Sequence, residues 1–355
     1  MSTSLTPLNS PLHQLHERLG ARFVEFSGWS LPVQYRGTLA EHAAVRSAAG
    51  VFDVSHLGRL SVEGPGATAL LRRLLCNDVG QAPSGHAQYT LMLTPDGGVI
   101  DDLIVWRWEE EKYWVLPNAA NYDSVLETIA GEAAASVEVH RLREATAMLA
   151  VQGPKAPNLL QTIIGWQPPR FAVGRVHWRG EDLDLAGTGY TGEQGAEIVA
   201  PAPAAQALVE ALIAQGCTPC GLAARDTLRL EMGYPLWGQD IGVDTTPLEA
   251  GLGWVVSWDH DFVGRSALQE QRQGGIGKRL IAFSLPDRII PRHGFPLRCG
   301  KGEGTVTSGS FSPTLATGIG MGYCSPNPGD ATAVTVEVRG RWEAALRVKP
   351  PFVRH

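Results

Sequence analysis

The chain has 355 residues, 44% of them hydrophobic, and 30 Lys and Arg against 36 Asp and Glu give a formal net charge of -6. At about 150 residues per domain this is enough apolar material for two or three packed domains, and it excludes a disordered chain. No long basic run marks a nucleic-acid binder, and no window reaches the ~18 apolar residues of a membrane span. Residues 1–10 carry neither a cationic nor an apolar leader, so a cytoplasmic location is expected. The cysteines, at 76, 217, 220, 299 and 324, are too sparse for a disulfide framework. Cys217-Thr-Pro-Cys220 lacks the second pair or nearby His of a zinc or redox centre, so it reads as two buried thiols, and no metal is expected.

Residues 5–20 read as an amphipathic helix closed by Gly20, with His13 and His16 on a half-exposed face. An extended stretch over 22–29, a helix over 41–49 ending at Gly50, a β-rich run over 51–58 and a helix over 67–75 begun by Gly64-Pro-Gly66 follow. Thr94-Pro-Asp-Gly-Gly98 is a hairpin turn: Pro95 presets its own φ, and Gly97 and Gly98 accept the positive φ that such loops use. Residues 88–93 should then pair with 99–106. On the outgoing strand Asp102 shares a face with Ile100, Ile104 and Trp106, and Asp101 with Val99, Leu103 and Val105. Both faces are apolar, which predicts a strand between layers, where a carboxylate needs donors, a cation or a proton. Such a group is either a structural cap for backbone amides or a working acid.

A strand over 113–116 leads to Asn118, whose amide either caps the helix over 122–130 or enters the space that Asp102 faces. Strands are predicted over 146–151 and 182–186. Gly187-Thr-Gly-Tyr-Thr-Gly-Glu-Gln-Gly195 is not a phosphate loop, since no Lys-Ser/Thr closes it and a strand, 196–200, follows. It reads as a glycine-rich hairpin whose backbone can approach a ligand closely. Pro203 sits early in a helix over 204–214, and a helix over 222–232 sets Arg225 and Arg229 one turn apart on one face. From Lys278 onward short β-rich runs predict an all-β module. Spacing and composition alone stop at a soluble α+β enzyme or binding protein with an acidic pocket.

Taken in order, Glu25-Phe-Ser-Gly-Trp29, Glu41-His-Ala-Ala-Val-Arg46, Val51 to Gly58, Tyr89-Thr-Leu-Met-Leu93, Gly97 to Val105, Asn118-Ala-Ala-Asn121, Ala150-Val-Gln-Gly-Pro154, Thr188-Gly-Tyr-Thr-Gly-Glu193, Arg225-Asp-Thr-Leu-Arg-Leu-Glu231, Ser312-Pro-Thr314 and Pro351-Phe-Val353 form a recognisable set. The chain resembles, over essentially its full length, the aminomethyltransferase family, the T-protein of the glycine cleavage system. The resemblance implies an enzyme that takes an aminomethyl group from the lipoyl arm of the H-protein, releases ammonia and passes the one-carbon unit to tetrahydrofolate, giving 5,10-methylenetetrahydrofolate. It implies an α+β fold, a three-domain cloverleaf around a central folate channel. Residues 1–54 with 144–223 would form an antiparallel sheet with helices, 55–143 with 224–277 a ferredoxin-like domain, and 278–355 an all-β barrel or jelly roll.

Residue by residue, Asp102 matches the catalytic aspartate. Leu57, Tyr89 and Tyr190 match positions lining the folate channel, Asn118 a folate-contacting asparagine, and Arg225 or Arg229 the arginine that reaches the folate. Glu197 matches the glutamate that grips the pterin, and a carboxylate suits that task because it accepts two parallel hydrogen bonds from a ring N–H and an exocyclic amine. Arg292 and Lys349 are candidate docking charges for an acidic partner. Two rival readings share the scaffold: another tetrahydrofolate-dependent methyltransferase or demethylase, and a non-catalytic folate-binding protein. The latter group carries a Lys-Gly-Cys-Tyr-x-Gly-Gln-Glu stretch, and the nearest match here, His260-Asp-Phe-Val-Gly-Arg265, has no cysteine.

Overall fold

The computed structural model describes residues 6–354. The chain forms two compact units, one from residues up to 72 with 78–90 and 103–225, the other from 73–77, 91–102 and 226 onward. In the first, a six-stranded sheet runs in the order Val173–Trp178, Glu181–Ala186, Gly195–Ala200, Ala147–Gln152, Gly50–Asp53 and Thr218–Pro219. Its central strand, Ala147–Gln152, pairs antiparallel on both sides, with Ala150 opposite Glu197 and Phe52. Leu160 and Leu208, from the helices Ala156–Ile164 and Ala202–Ala214, close a core with Leu149, Val151, Leu185 and Ile198. Each such side chain contributes about 1.5–3 kcal/mol on burial, so the loops at the sheet's end rest on a stiff support.

A five-stranded sheet follows the order His86–Leu93, Val99–Glu109, Lys112–Leu116, Leu60–Glu63 and Glu138–Arg141, and the tip of its first hairpin, 91–102, is assigned to the second unit. The second unit ends in a closed six-stranded barrel made of Arg279–Ser284, Pro296–Cys299, Gly302–Ser312, Thr317–Ser325, Ala333–Val338 and Arg341–Val348. Phe283, Leu297, Val306 and Val336 fill its interior. Glu231 docks the adjoining helix end: its carboxylate accepts from Ser312 Oγ, the Thr314 N–H and Thr314 Oγ1, and its carbonyl from the Phe352 N–H. That accounts for the Ser312-Pro-Thr314 and Pro351-Phe-Val353 stretches. The expected fold class, mixed α and β elements before a C-terminal barrel, is the one observed.

Several local expectations need correction. The helix predicted over 5–20 shrinks to His13–Arg18, because Leu8–Asn9 pairs with Trp29 and Ser30 as a parallel strand and Ser10 Oγ accepts the Leu12 N–H; residues 1–5 lie outside the described residues. His16 is buried rather than half exposed. Of the turn glycines only Gly97 has a positive φ, +85°, while Gly98 is needed because a Cβ there would lie 1.9 Å from the Val243 carbonyl oxygen. The helix Arg265–Gly274 carries one buried residue, Leu268, and so has too little apolar periodicity to be seen in the sequence. Cys217 and Cys220, by contrast, are the free buried thiols expected, and burial pushes Cys217 up to about 12.

Candidate functional site

The glycine-rich segment connects the antiparallel strands Glu181–Ala186 and Gly195–Ala200, whose register sets Ala186 opposite Glu197. The strand holds Glu197 between two fully buried neighbours, Ala196 and Ile198, and the residue is itself only 6% exposed. Its Oε2 accepts from Thr188 Oγ1 at 2.5 Å. Tyr190, half-buried, lies beneath the guanidinium of Arg225, which stands 4.9 Å from the ring centroid. The Arg225 Nη1 is shut off from solvent with no hydrogen bond among the described residues. Burial lowers the affinity of Arg225 for its proton, and the charges of Glu197 and Tyr190 pull it back up. A guanidinium N–H closed to solvent and left without an acceptor is costly to the fold.

His56, the last residue of a buried run that begins at Ala49, completes this cluster. It is 3% exposed, and its Nδ1 is buried with no partner among the described residues. Burial first and Arg225 second hold its base down to about 3, so the ring is neutral across the physiological range. Behind it, burial alone would raise Asp53, yet the bond and charge of His16 (2.7 Å), with bonds from Ser10 Oγ and the Ser55 N–H, bring it down to about 2. Tyr35 Oη and His16 Nδ1 lie 2.9 Å apart, extending that chain.

Of the other sequence-predicted residues in this unit, Leu57 follows His56, Tyr89 lies on His86–Leu93, and Asn118 precedes the short helix Ala119–Asn121. All three are half-buried. Asn118 makes no side-chain capping bond, so the capping role is not the one it plays.

Asp102 and Arg229 belong to the second unit. The hairpin end is clamped there by the 237–245 loop: the Val99 N–H donates to Gly242 O and Thr245 O, and Trp237 Nε1 donates to Val99 O at 3.3 Å. The two faces of the strand differ. Val99, Asp101, Leu103 and Val105 are buried, whereas Ile100, Asp102 and Ile104 are partly open. Asp102 is thus neither sealed into the core nor turned fully to solvent. Arg229 is held by four hydrogen bonds: Nε donates to Asp226, Nη1 to Asp240 (2.8 Å) and the Tyr234 carbonyl, and Nη2 to Ser308. Arg292 is exposed and borders a cavity of about 520 Å³ on the barrel, together with Arg288, Arg339, Arg341, Phe295 and one acid, Glu343. Lys349 is exposed beyond the last barrel strand and does not line that cavity.

Sequence reasoning passed over His56 and Thr188. The available signal for the first was a histidine inside the short run of polar residues, Asp53, Ser55 and His56, that ends an otherwise apolar stretch; the second was hidden among the glycines.

The GCVT N-terminal domain matches residues 12–260, and the glycine cleavage T-protein C-terminal barrel domain matches 278–354. The chain belongs to the glycine cleavage T-protein family, the aminomethyltransferases. It is 42% identical to the aminomethyltransferase of Halothermothrix orenii over 97% of this chain and 99% of that one. It is 41% identical to that of Synechococcus elongatus over 100% and 98%. The crystal structure of glycine cleavage system aminomethyltransferase T from Bartonella henselae superposes with a TM-score of 0.89, at 34% identity, covering 97% of this chain and 98% of that one.

Proposed function

We propose that the chain takes an aminomethyl group from the lipoyl arm of a carrier H-protein, releases ammonia and forms 5,10-methylenetetrahydrofolate. The observation that carries the folate reading is the cluster of Glu197, Tyr190 and Arg225. A buried carboxylate with a hydrogen-bond acceptor to offer suits the N–H and amine edge of a 2-aminopterin. A guanidinium whose Nη1 is closed to solvent and unbonded suits an acceptor on the same ligand, and binding would satisfy that donor. Arg225 rather than Arg229 is the arginine assigned to the folate, since the donors of Arg229 are already spent on Asp240, Asp226 and Ser308. Leu57, Tyr89, Tyr190 and Asn118 supply apolar wall and one amide.

The folate amine is the nucleophile, so the protein's contribution is placement and charge. Asp102, on the open face of its strand, is the residue assigned to the reacting carbon. An ionised carboxylate there works either as the base that takes the amine proton or as the charge that stabilises the iminium formed as the carrier sulfur departs, and the pH profile of turnover separates the two. Arg292, with Arg288, Arg339 and Arg341 around one cavity, supports docking of an acidic carrier, Lys349 adding a further positive charge. The three-domain division is also proposed, supported by the way the six-stranded sheet draws on 50–53 and 147–219, the five-stranded sheet on 60–141 and the barrel on 279–348.

The test is ammonia release from an aminomethylated lipoyl carrier, with and without tetrahydrofolate. Release should depend on added folate; release at the same rate without folate, or none at all with folate bound, contradicts the proposal.

A further inference from the structure

Gln152 is a primary amide at the end of an otherwise apolar strand, and it is fully buried. An amide in that position is tolerated only when its hydrogen bonds are made. Its Oε1 accepts from Thr191 Oγ1 at 2.8 Å, and its Nε2 donates to the Thr188 carbonyl at 3.1 Å and to the Val151 carbonyl at 3.2 Å. The orientation of the amide follows from its partners, because two of the three are carbonyls that only accept.

Thr188 and Thr191 bracket Tyr190 in the chain, so this one side chain grips the loop on both sides of the ring that carries Arg225. While its carbonyl is held by Gln152, the Thr188 hydroxyl reaches Glu197. The glycines fit the same purpose. A Cβ on Gly189 would lie 2.0 Å from Gln152 Oε1, and one on Gly195 would lie 2.9 Å from Nε2 and 1.9 Å from the Val151 carbonyl oxygen. The density of glycine therefore makes room for Gln152, and the expectation of close approach to a ligand has this nearer cause. From the outer side Arg46 Nη1 donates to the Thr191 carbonyl at 2.7 Å and to Glu193 Oε1 at 2.9 Å, an ion pair largely closed to solvent.

We infer that Gln152 is a positioning residue for folate binding: its amide holds the glycine-rich loop in the shape that sets Tyr190 under Arg225 and Thr188 on Glu197. The inference rests on the folate reading of that cluster. Gln152 acts through the loop, by removing the ordering cost that a slack loop would pay on binding. Its loss should weaken affinity and leave the chemical step alone.

The experiment is calorimetric titration of tetrahydrofolate into the full chain, with turnover at saturating folate and carrier alongside. Gln152→Leu should raise Kd and KM about tenfold, the scale of one or two lost hydrogen bonds, with kcat within about twofold of the parent. Thr191→Val, which removes one donor from the loop without emptying the strand, should shift Kd in the same direction by about threefold and serves if Gln152→Leu does not fold. In Gln152→Leu/Arg225→Met the two losses should not add, since both act on one contact set. Parent-like affinity in Gln152→Leu or in Thr191→Val, additive losses in the double variant, or a fall in kcat with Kd unchanged overturns the inference. If Arg225→Met itself binds folate as the parent does, the folate reading falls and takes the inference with it; if only the Gln152 and Thr191 variants bind normally, the reading stands and the inference alone is lost.

Discussion

The helix Leu222–Glu231 carries two arginines one turn apart in opposite conditions. Arg229 is enclosed by Asp240, Asp226, Ser308 and the Tyr234 carbonyl, and Asp240 is bonded in turn by Thr307, Ser308 and the Leu236 N–H. Arg225 has a tyrosine face and a buried, unbonded Nη1. The first arrangement is what a fold does with a charge it must bury; the second is what a fold leaves open for something that arrives later. Identical residues at helical spacing thus divide into a structural cation and a receptive one, and the division is made by partners remote in sequence, Asp240 and Ser308 lying 11 and 79 positions from Arg229.

Substituting the two in turn gives the sharpest contrast. Arg229→Met should cost about 3–5 kcal/mol in urea unfolding, because Asp240 is left as a buried unpaired charge. Arg225→Met should leave stability unchanged or slightly raised, yet weaken tetrahydrofolate binding about 100-fold, the scale of a lost charged hydrogen bond of about 3 kcal/mol. The comparison breaks if the effects exchange places.

A smaller effect tests the same contrast through His56, which feels the charge of Arg225. Burial and that charge hold the folded base at about 3 against an ordinary 6.5. Between those values the unfolded chain binds a proton that the folded one refuses, so stability falls as pH falls below 6.5. On going from pH 8 to pH 5 the parent should lose about 2 kcal/mol that His56→Gln keeps. Asp53, depressed to about 2, stabilises the fold above its ordinary range near 3.8, and its share is lost only as pH drops from there toward 2, outside that window. Superimposable acid limbs for the parent and His56→Gln would show that the ring is not held neutral by burial.

The turns and strands were legible because their causes are local. Pro95 and Gly97 define the hairpin, Pro203 opens a helix, and the alternation about Asp102 places that carboxylate on one face without any knowledge of the fold. What alternation could not give was the difference between faces: Asp101 and Asp102 look equivalent in an apolar strand, and only the packing seals one and leaves the other partly open. Distant pairing was equally invisible. The burial of His16 depends on Asp53, that of Glu231 on Ser312 and Thr314, and the glycine pattern at 189 and 195 on Gln152. Each of these is a polar group whose partner lies dozens of residues away, so composition within a window carries no trace of it. The set of short motifs, by contrast, survives as an ordered series along the whole chain, which is why the family was recognisable before the geometry behind each motif.

The most direct test of the account is the turnover of Asp102→Asn with saturating tetrahydrofolate and aminomethylated carrier, measured together with its folate affinity. The substitution keeps the shape of the side chain and removes its charge, so turnover should fall about 100-fold or more while folate still binds. Turnover close to that of the parent would contradict the assignment of Asp102 as the catalytic carboxylate.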